Sequence, residues 1–310
     1  EARSAAESST LTVTASGNFT NSADLDAAQL ANISFGGHLF NEAGGIIRDA
    51  RLNLTFGRDL HNSGVIFGAE TLTLNVASLF NNATGTILSD SVTITTSAAL
   101  NNAGAILSEG QATLVAGTQF RNEGLVQAIR ATITAPSLLN TGDAALRLRD
   151  SGTLTVSGSM TNAGLLTSAG TLQINAGQFA NNGSLAVETS LIAQTESLTN
   201  AGVITAGTSL SLRGNALLTS LGTIASYGNA ALQSNIRVEN RGLLLADNSL
   251  QVIAPRFDNA GQNAVLRAVN GDIRSASIVN SGEVYLVNSF RRRDNIDLFD
   301  NAGVFATQGF

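Results

Sequence analysis

One short string dominates this chain. Asn-x-Gly followed by an apolar pair recurs along nearly its whole length, as in Asn62-Ser63-Gly64-Val65-Ile66, Asn102-Ala103-Gly104-Ala105-Ile106 and Asn200-Ala201-Gly202-Val203-Ile204. With the Gly as marker, copies fall at positions 44, 64, 85, 104, 124, 142, 164, 183, 202, 222, 242, 261, 282 and 303, at a mean spacing close to 20. Asn21-Ser22-Ala23 adds an earlier copy with Ala for Gly, for about fifteen units. A fixed period of this length is the signature of a repeat architecture, in which each unit contacts mainly its neighbours.

Two apolar columns keep step with the marker. Four residues before it stand Phe19, Phe40, Leu60, Leu100, Phe120, Leu138, Met160, Phe179, Leu198 and their successors, with one slip at Phe80. Two residues after it stand Ile46, Ile66, Ile87, Ile106, Val126, Leu166, Leu185 and Ile204, with Ala144 and Asn263 as exceptions beside displaced markers. Within a unit the period is 2: Thr71-Leu72-Thr73-Leu74-Asn75-Val76 and Thr171-Leu172-Gln173-Ile174-Asn175 alternate strictly. Alternation over five or six residues makes a strand with one buried face, and no segment sustains the 3.6 period of a helix. A 20-residue unit of two or three short strands cannot bury its apolar face alone. Stacked units pair each strand with its equivalent one coil away. The expected fold is all-β, a right-handed parallel β-helix of about fifteen coils, with residues 1–310 as a single repeat domain. Gly and Asn at the corners are expected to supply positive φ angles. The marker Asn is expected to form a ladder of stacked amides that also satisfies backbone groups at the turn.

Composition excludes several functions. The charge is −6, and all 17 basic residues are Arg. Such a chain lacks the basic footprint of a nucleic-acid binder. Zero Cys removes disulfides, thiol catalysis and Cys-based zinc sites. No run approaches the roughly 18 apolar residues of a membrane-spanning helix. A polysaccharide-processing β-helix needs convergent carboxylates for acid–base work. The acids here are thinly spread, and pairs such as Arg48-Asp49-Arg51 and Arg58-Asp59 read as solvated corner ion pairs. Trp is absent, Tyr is limited to Tyr227 and Tyr285, and seven of the 13 Phe fall in the column read as buried. His38 and His61 are 23 residues apart, close to one coil. Without a positioned carboxylate they read as surface corner residues, so no metal and no cofactor is expected. The Thr-x-Thr pairs at Thr71/Thr73 and Thr93/Thr95 are ordinary outward strand residues, since other coils break the ladder.

The unit pattern, apolar-x-Asn-x-Gly-x-(Ile/Leu) followed by Leu-x-(Leu/Ile/Val), resembles the repeats of filamentous haemagglutinin-type exoproteins. Leu100-Asn101-Asn102-Ala103-Gly104-Ala105-Ile106 and Leu198-Thr199-Asn200-Ala201-Gly202-Val203-Ile204 carry it, over roughly residues 10 to 310. The resemblance implies large Gram-negative exoproteins, exported through an outer-membrane partner by two-partner secretion. They act as adhesins or as sticks that deliver contact-dependent growth-inhibition toxins, outside the cell or on its surface. It implies a secretion domain outside this chain, a receptor or glycan on a target cell, no enzyme activity and no direct membrane insertion. The Asn-Pro-Asn strings of the secretion domain do not occur, because the prolines are Pro136 and Pro255. Val238-Glu239-Asn240-Arg241 only approaches the Val-Glu-Asn-Asn string that precedes toxin domains, and its Val and Asn occupy ordinary repeat columns. The chain therefore reads as an internal stretch of a larger protein. The alternative is a β-helical polysaccharide-binding or polysaccharide-degrading protein, of lyase, hydrolase or tailspike type.

A solenoid presents its specific surfaces where corners lengthen. The candidate recognition residues are therefore Arg147 and Arg149 in Asp143–Asp150, and Arg291, Arg292 and Arg293 in Phe290–Asp300. Gln262–Val265 is a third irregular corner. A guanidinium cluster suits an anionic glycan or a carboxylate, although Asp294, Asp297 and Asp300 are placed to compensate the triplet.

Overall fold

A computed structural model describes residues 10–26, 30–292 and 298–307. The chain forms two compact units, Glu1–Arg149 and Asp150–Phe310. In both it is an all-β parallel solenoid, with about 20 residues per turn and about 14 turns in all. Fifteen corners, from the one at Asn21 to the one at Asn301, bound these turns.

One turn of the first unit shows how sequence becomes structure. Ala105–Ser108, Gln111–Ala116 and Gln119–Asn122 are its three strands. Each pairs in parallel with its equivalent a coil away: Ile106 with Ile87 and Val126, Leu114 with Ile94 and Ile133, Phe120 with Leu100 and Leu138. Alternation sends Ile106, Ala112, Leu114 and Phe120 inward, all at 0–1% exposure. Elsewhere neighbouring strands fuse across a bulge, as in Ile46–Phe56 and Val65–Val76, whose registers shift at Asp49/Arg51. The second unit repeats the plan, with columns such as Ile204–Ile224–Leu244–Leu266 and Leu198–Leu218–Val238–Phe257.

The corner glycines serve stacking, not turn conformation. Among the described glycines, Gly44 (φ 86°) and Gly261 (φ 105°) adopt positive φ, so the expectation of left-handed glycine corners holds at two corners and not at the others. A methyl group added at Gly202 would instead overlap the Gly183 carbonyl oxygen, and one at Gly222 the Gly202 carbonyl oxygen. At these two positions glycine is needed because the carbonyl one coil away sits too close for a Cβ.

The two positive-φ glycines mark corners with extra residues, and these explain the irregular markers. Ile46 pairs with Val65, so Gly45, not Gly44, is equivalent to Gly64. Ala145 pairs with Leu125, and Val265 with Leu243, so Ala144 and Ala264 replace the marker Gly. The inward residues there are Leu146 and Leu266, and the apparent exceptions at Ala144 and Asn263 vanish. The same lengthening displaces the marker, so counting back from it lands on Phe40 and Phe80 instead of the buried residues before them. Leu39 and Leu79 fill the buried column at 0% exposure, and Phe40 and Phe80 face outward, only half-buried.

The marker Asn residues form the expected ladder. In the first unit Nδ2 of Asn21, Asn41, Asn62, Asn81, Asn102 and Asn122 each donates to Oδ1 of the next Asn at 2.7–2.9 Å. The same Nδ2 also reaches a corner carbonyl one coil on, as from Asn102 to Leu125 at 3.1 Å. In the second unit the ladder runs Asn162–Asn181–Asn200 and again Asn240–Asn259–Asn280–Asn301. From Asn41 to Asn280 these side chains are at most 1% exposed, so each amide must find its partners inside the corner.

Candidate functional site

Of the predicted arginines, Arg147, Arg149 and Arg291 lie on outward positions. Arg147, in the strand Ala145–Leu148, and Arg149 just after it are both exposed, with buried Leu148 between them. Arg149 reaches Glu109 at 3.3 Å, two coils back, in a pair more than half exposed and therefore weak. Arg291 is the penultimate residue of the strand Glu283–Arg292, opposite Asp272 on the preceding coil. Asp272 accepts from Arg274 Nε at 3.0 Å and Gln251 Nε2 at 2.9 Å. The Arg274 hydrogen bond is the main cause that holds its carboxyl below the ordinary value, with the Arg291 charge a smaller one. Arg291 thus stands beside an acidic partner, Asp272, on the preceding coil. The Arg292 side chain, Arg293, Asp294 and Asp297 lie outside the described residues.

Arg48 forms a solvated pair as expected, but with other partners, and Asp49 is buried. Arg48 pairs with Asp24 at 2.9 Å and Asp26 at 3.1 Å, not with its neighbour Asp49. Asp49 is 5% exposed at the bulge, and its Oδ1 accepts from the Ala50 N–H at 2.6 Å. Its Oδ2 is buried without a hydrogen-bond partner. Desolvation, partly offset by the Ala50 and Arg51 backbone N–H groups, raises its pKa.

Glu239 and Asp258 are register partners at 4% and 3% exposure. Arg237 and Arg241 bind Glu239, while Arg256 Nε meets both Asp258 oxygens at 2.8 Å. This pair is covered and paired, unlike the open carboxylates that sugar hydrolysis uses. Val238 and Asn240, beside it, occupy the core and ladder columns as the sequence indicates.

The histidines are where sequence reading missed a group. Asp59 supplies the carboxylate that the sequence did not place. His38 Nδ1 and Asp59 Oδ2 are 3.8 Å apart, and one ligand atom from each of His38, Asp59 and His61 lies within 4.8 Å of the others. The signal was present: Asp59 follows His38 by one coil, and Asp59 and His61 flank an inward Leu60 on one face of the strand.

Around the irregular corner at Gly261 a shallow hollow is lined by Arg241, Ala260, Gln262 and Asn263. A longer polar trough runs past Asn175, Gln194, Glu196 and Arg213. Neither encloses a small molecule.

Stacked parallel coils, an inward amide ladder and charges used in pairs along the outside define a structural β-solenoid. A family model for the haemagglutinin repeat matches residues 2–64, 35–135, 108–196, 191–254 and 238–298. The chain belongs to the haemagglutinin-repeat family. Its proteins are generally structural or adhesive rather than enzymatic, and are typically secreted or on the cell surface. The repeats and the solenoid together fit a filamentous adhesin-type stalk. No curated protein and no solved structure matches the chain.

Proposed function

We propose that this chain is part of the stalk of a bacterial surface filament exported by two-partner secretion. Residues 1–310 serve in it as one repeat domain. The stalk holds an adhesive or toxin-delivering tip away from the cell, and binding to a target-cell receptor or glycan is the event it serves. One observation carries this reading: five consecutive matches to a single repeat family run through coils whose corners are joined amide to amide. A solenoid of this kind gives length with little sequence complexity, since each added turn repeats the same contacts. Arg147, Arg149 and Arg291 are its proposed contact points for anionic groups on the target.

The experiment is an in-frame deletion of the segment in the producing bacterium. It is read by surface labelling of the filament, attachment to target cells and growth inhibition of neighbours. Reduced reach with loss of attachment or inhibition supports the stalk reading. Unchanged attachment and inhibition overturn it. A glycan array probed with the purified chain tests the arginines, with Arg147→Ala/Arg149→Ala as the comparison.

A further inference from the structure

We propose that His38, Asp59 and His61 bind a divalent transition-metal ion of the zinc class, which ties two successive coils together. His38 belongs to one coil, and Asp59 and His61 to the next. Leu39 and Leu60 are register partners, so His38 lies beside Asp59 and His61 beside Phe40. The Leu39 N–H donates to the Asp59 carbonyl at 3.0 Å. The Asp59 N–H reaches His38 Nδ1 at 3.3 Å, a weak bond that a metal would replace.

The donor set selects the ion. Two imidazoles and a carboxylate suit zinc and its neighbours, whereas calcium and magnesium demand oxygen ligands. Three protein ligands leave a fourth position for water or for a group on a partner. The His38 and Asp59 side chains are 29% and 31% exposed, so an ion has a path in from solvent. At 3.8 Å the imidazole and carboxylate are too far apart for a hydrogen bond, so the cluster is not closed on itself. Zinc–ligand bonds of about 2.1 Å put tetrahedral ligands roughly 3.4 Å apart, which small side-chain rotations reach from the present spacing.

The site is also partly rigid. The His61 ring is stacked between Phe40, at 5.2 Å and 12°, and Phe80, at 4.8 Å and 7°. The His38 ring packs on Phe40 at 5.7 Å. Rings already held by stacking lose less freedom when an ion binds. This outward aromatic stack exists because Phe40, His61 and Phe80 are register partners, each between an inward Leu and an inward Asn.

His38 and His61 are the 2 His of the chain, and Cys is absent, so a titration of tag-free protein reports on this cluster. Zn²⁺ is titrated by calorimetry, with Ca²⁺ and Mg²⁺ in parallel and Co²⁺ as a spectroscopic probe. The expected result is one zinc per chain, a raised melting temperature, visible bands from low-symmetry Co²⁺, and no response to Ca²⁺ or Mg²⁺. His61→Phe keeps the stack but removes a ligand, and is expected to fold and to bind zinc at least ~10-fold more weakly. Should that variant misfold, His38→Gln supplies the same comparison. Zinc binding weaker than about 1 mM, wild-type affinity in the ligand-removing variant, or an equal response to Ca²⁺ would overturn the proposal.

Discussion

Asn200 Nδ2 reaches Ser220 Oγ at 3.4 Å, whereas the Asn–Asn rungs close at 2.7–2.9 Å. Ser220 is too short to carry the ladder to Asn240, whose Oδ1 takes the Gly242 N–H at 3.3 Å instead. Ser220→Asn should restore two rungs, since Ser220 and Asn240 are register partners. The expected gain is about 1 kcal/mol, the net worth of a buried hydrogen bond. Asn181→Ala breaks two rungs of an intact stretch, to Asn162 and to Asn200, and should cost about 2 kcal/mol or more, because buried partners are left unpaired. Urea unfolding of the two variants checks both signs, and a destabilised Ser220→Asn would mean the ladder contributes nothing there.

The glycine column makes a second, sharper comparison. Gly202→Ala places a methyl group against the Gly183 carbonyl oxygen and should cost roughly 2–3 kcal/mol, as overpacking against backbone does. At Gly142 a Cβ would meet nothing within 4 Å, and the φ is not left-handed. Gly142→Ala should therefore be neutral or stabilising by about 0.5 kcal/mol through the unfolded chain. Equal losses at the two positions, measured by thermal melting, would contradict the stacking argument.

Leu39 and Phe40 test the register itself. Leu39 is fully buried, and Leu39→Ala should cost about 2–5 kcal/mol. Phe40 lies outside the core in the aromatic stack, so Phe40→Ala should cost only about 1 kcal/mol, the worth of a ring pair. Marker counting predicts the reverse order. Denaturant midpoints of the two variants separate these outcomes.

That reversal shows what the sequence could carry. Period 2 within a unit and period near 20 between units reveal the parallel solenoid, because burial and coil stacking both leave periodic traces. The Asn ladder was legible for the same reason: a polar residue at a fixed inward position needs equivalent partners above and below it. Corner insertions were not legible. Gly261 matches the Asn-x-Gly string and Gly44 falls at its spacing, yet both occupy extra residues, while Gly45 and Ala264 occupy the stacking position. A string match does not distinguish a glycine needed for φ from one needed for close approach. The Asp59 carboxylate is not legible from the 23-residue spacing of the histidines. The neighbour of His38 one coil on is Asp59, not His61.

Asp49 gives a pH-dependent prediction. Its carboxyl is buried with Oδ2 unpartnered, and desolvation raises its pKa above the 3.8 of the free side chain. Below that value Asp49 is protonated whether the chain is folded or not, and it costs no charge burial. As pH rises through 3.8 and then through the raised folded value, the unfolded state releases its proton more readily, and this group's share of stability is lost. Asn in its place keeps an oxygen for the Ala50 N–H and carries no charge. Asp49→Asn should therefore be more stable than the wild type at neutral pH, with the advantage shrinking towards about pH 3. Denaturant unfolding of both proteins across that range measures the difference directly. A pH-independent difference would show that Asp49 finds a charge-stabilising partner on ionisation and that its burial costs nothing.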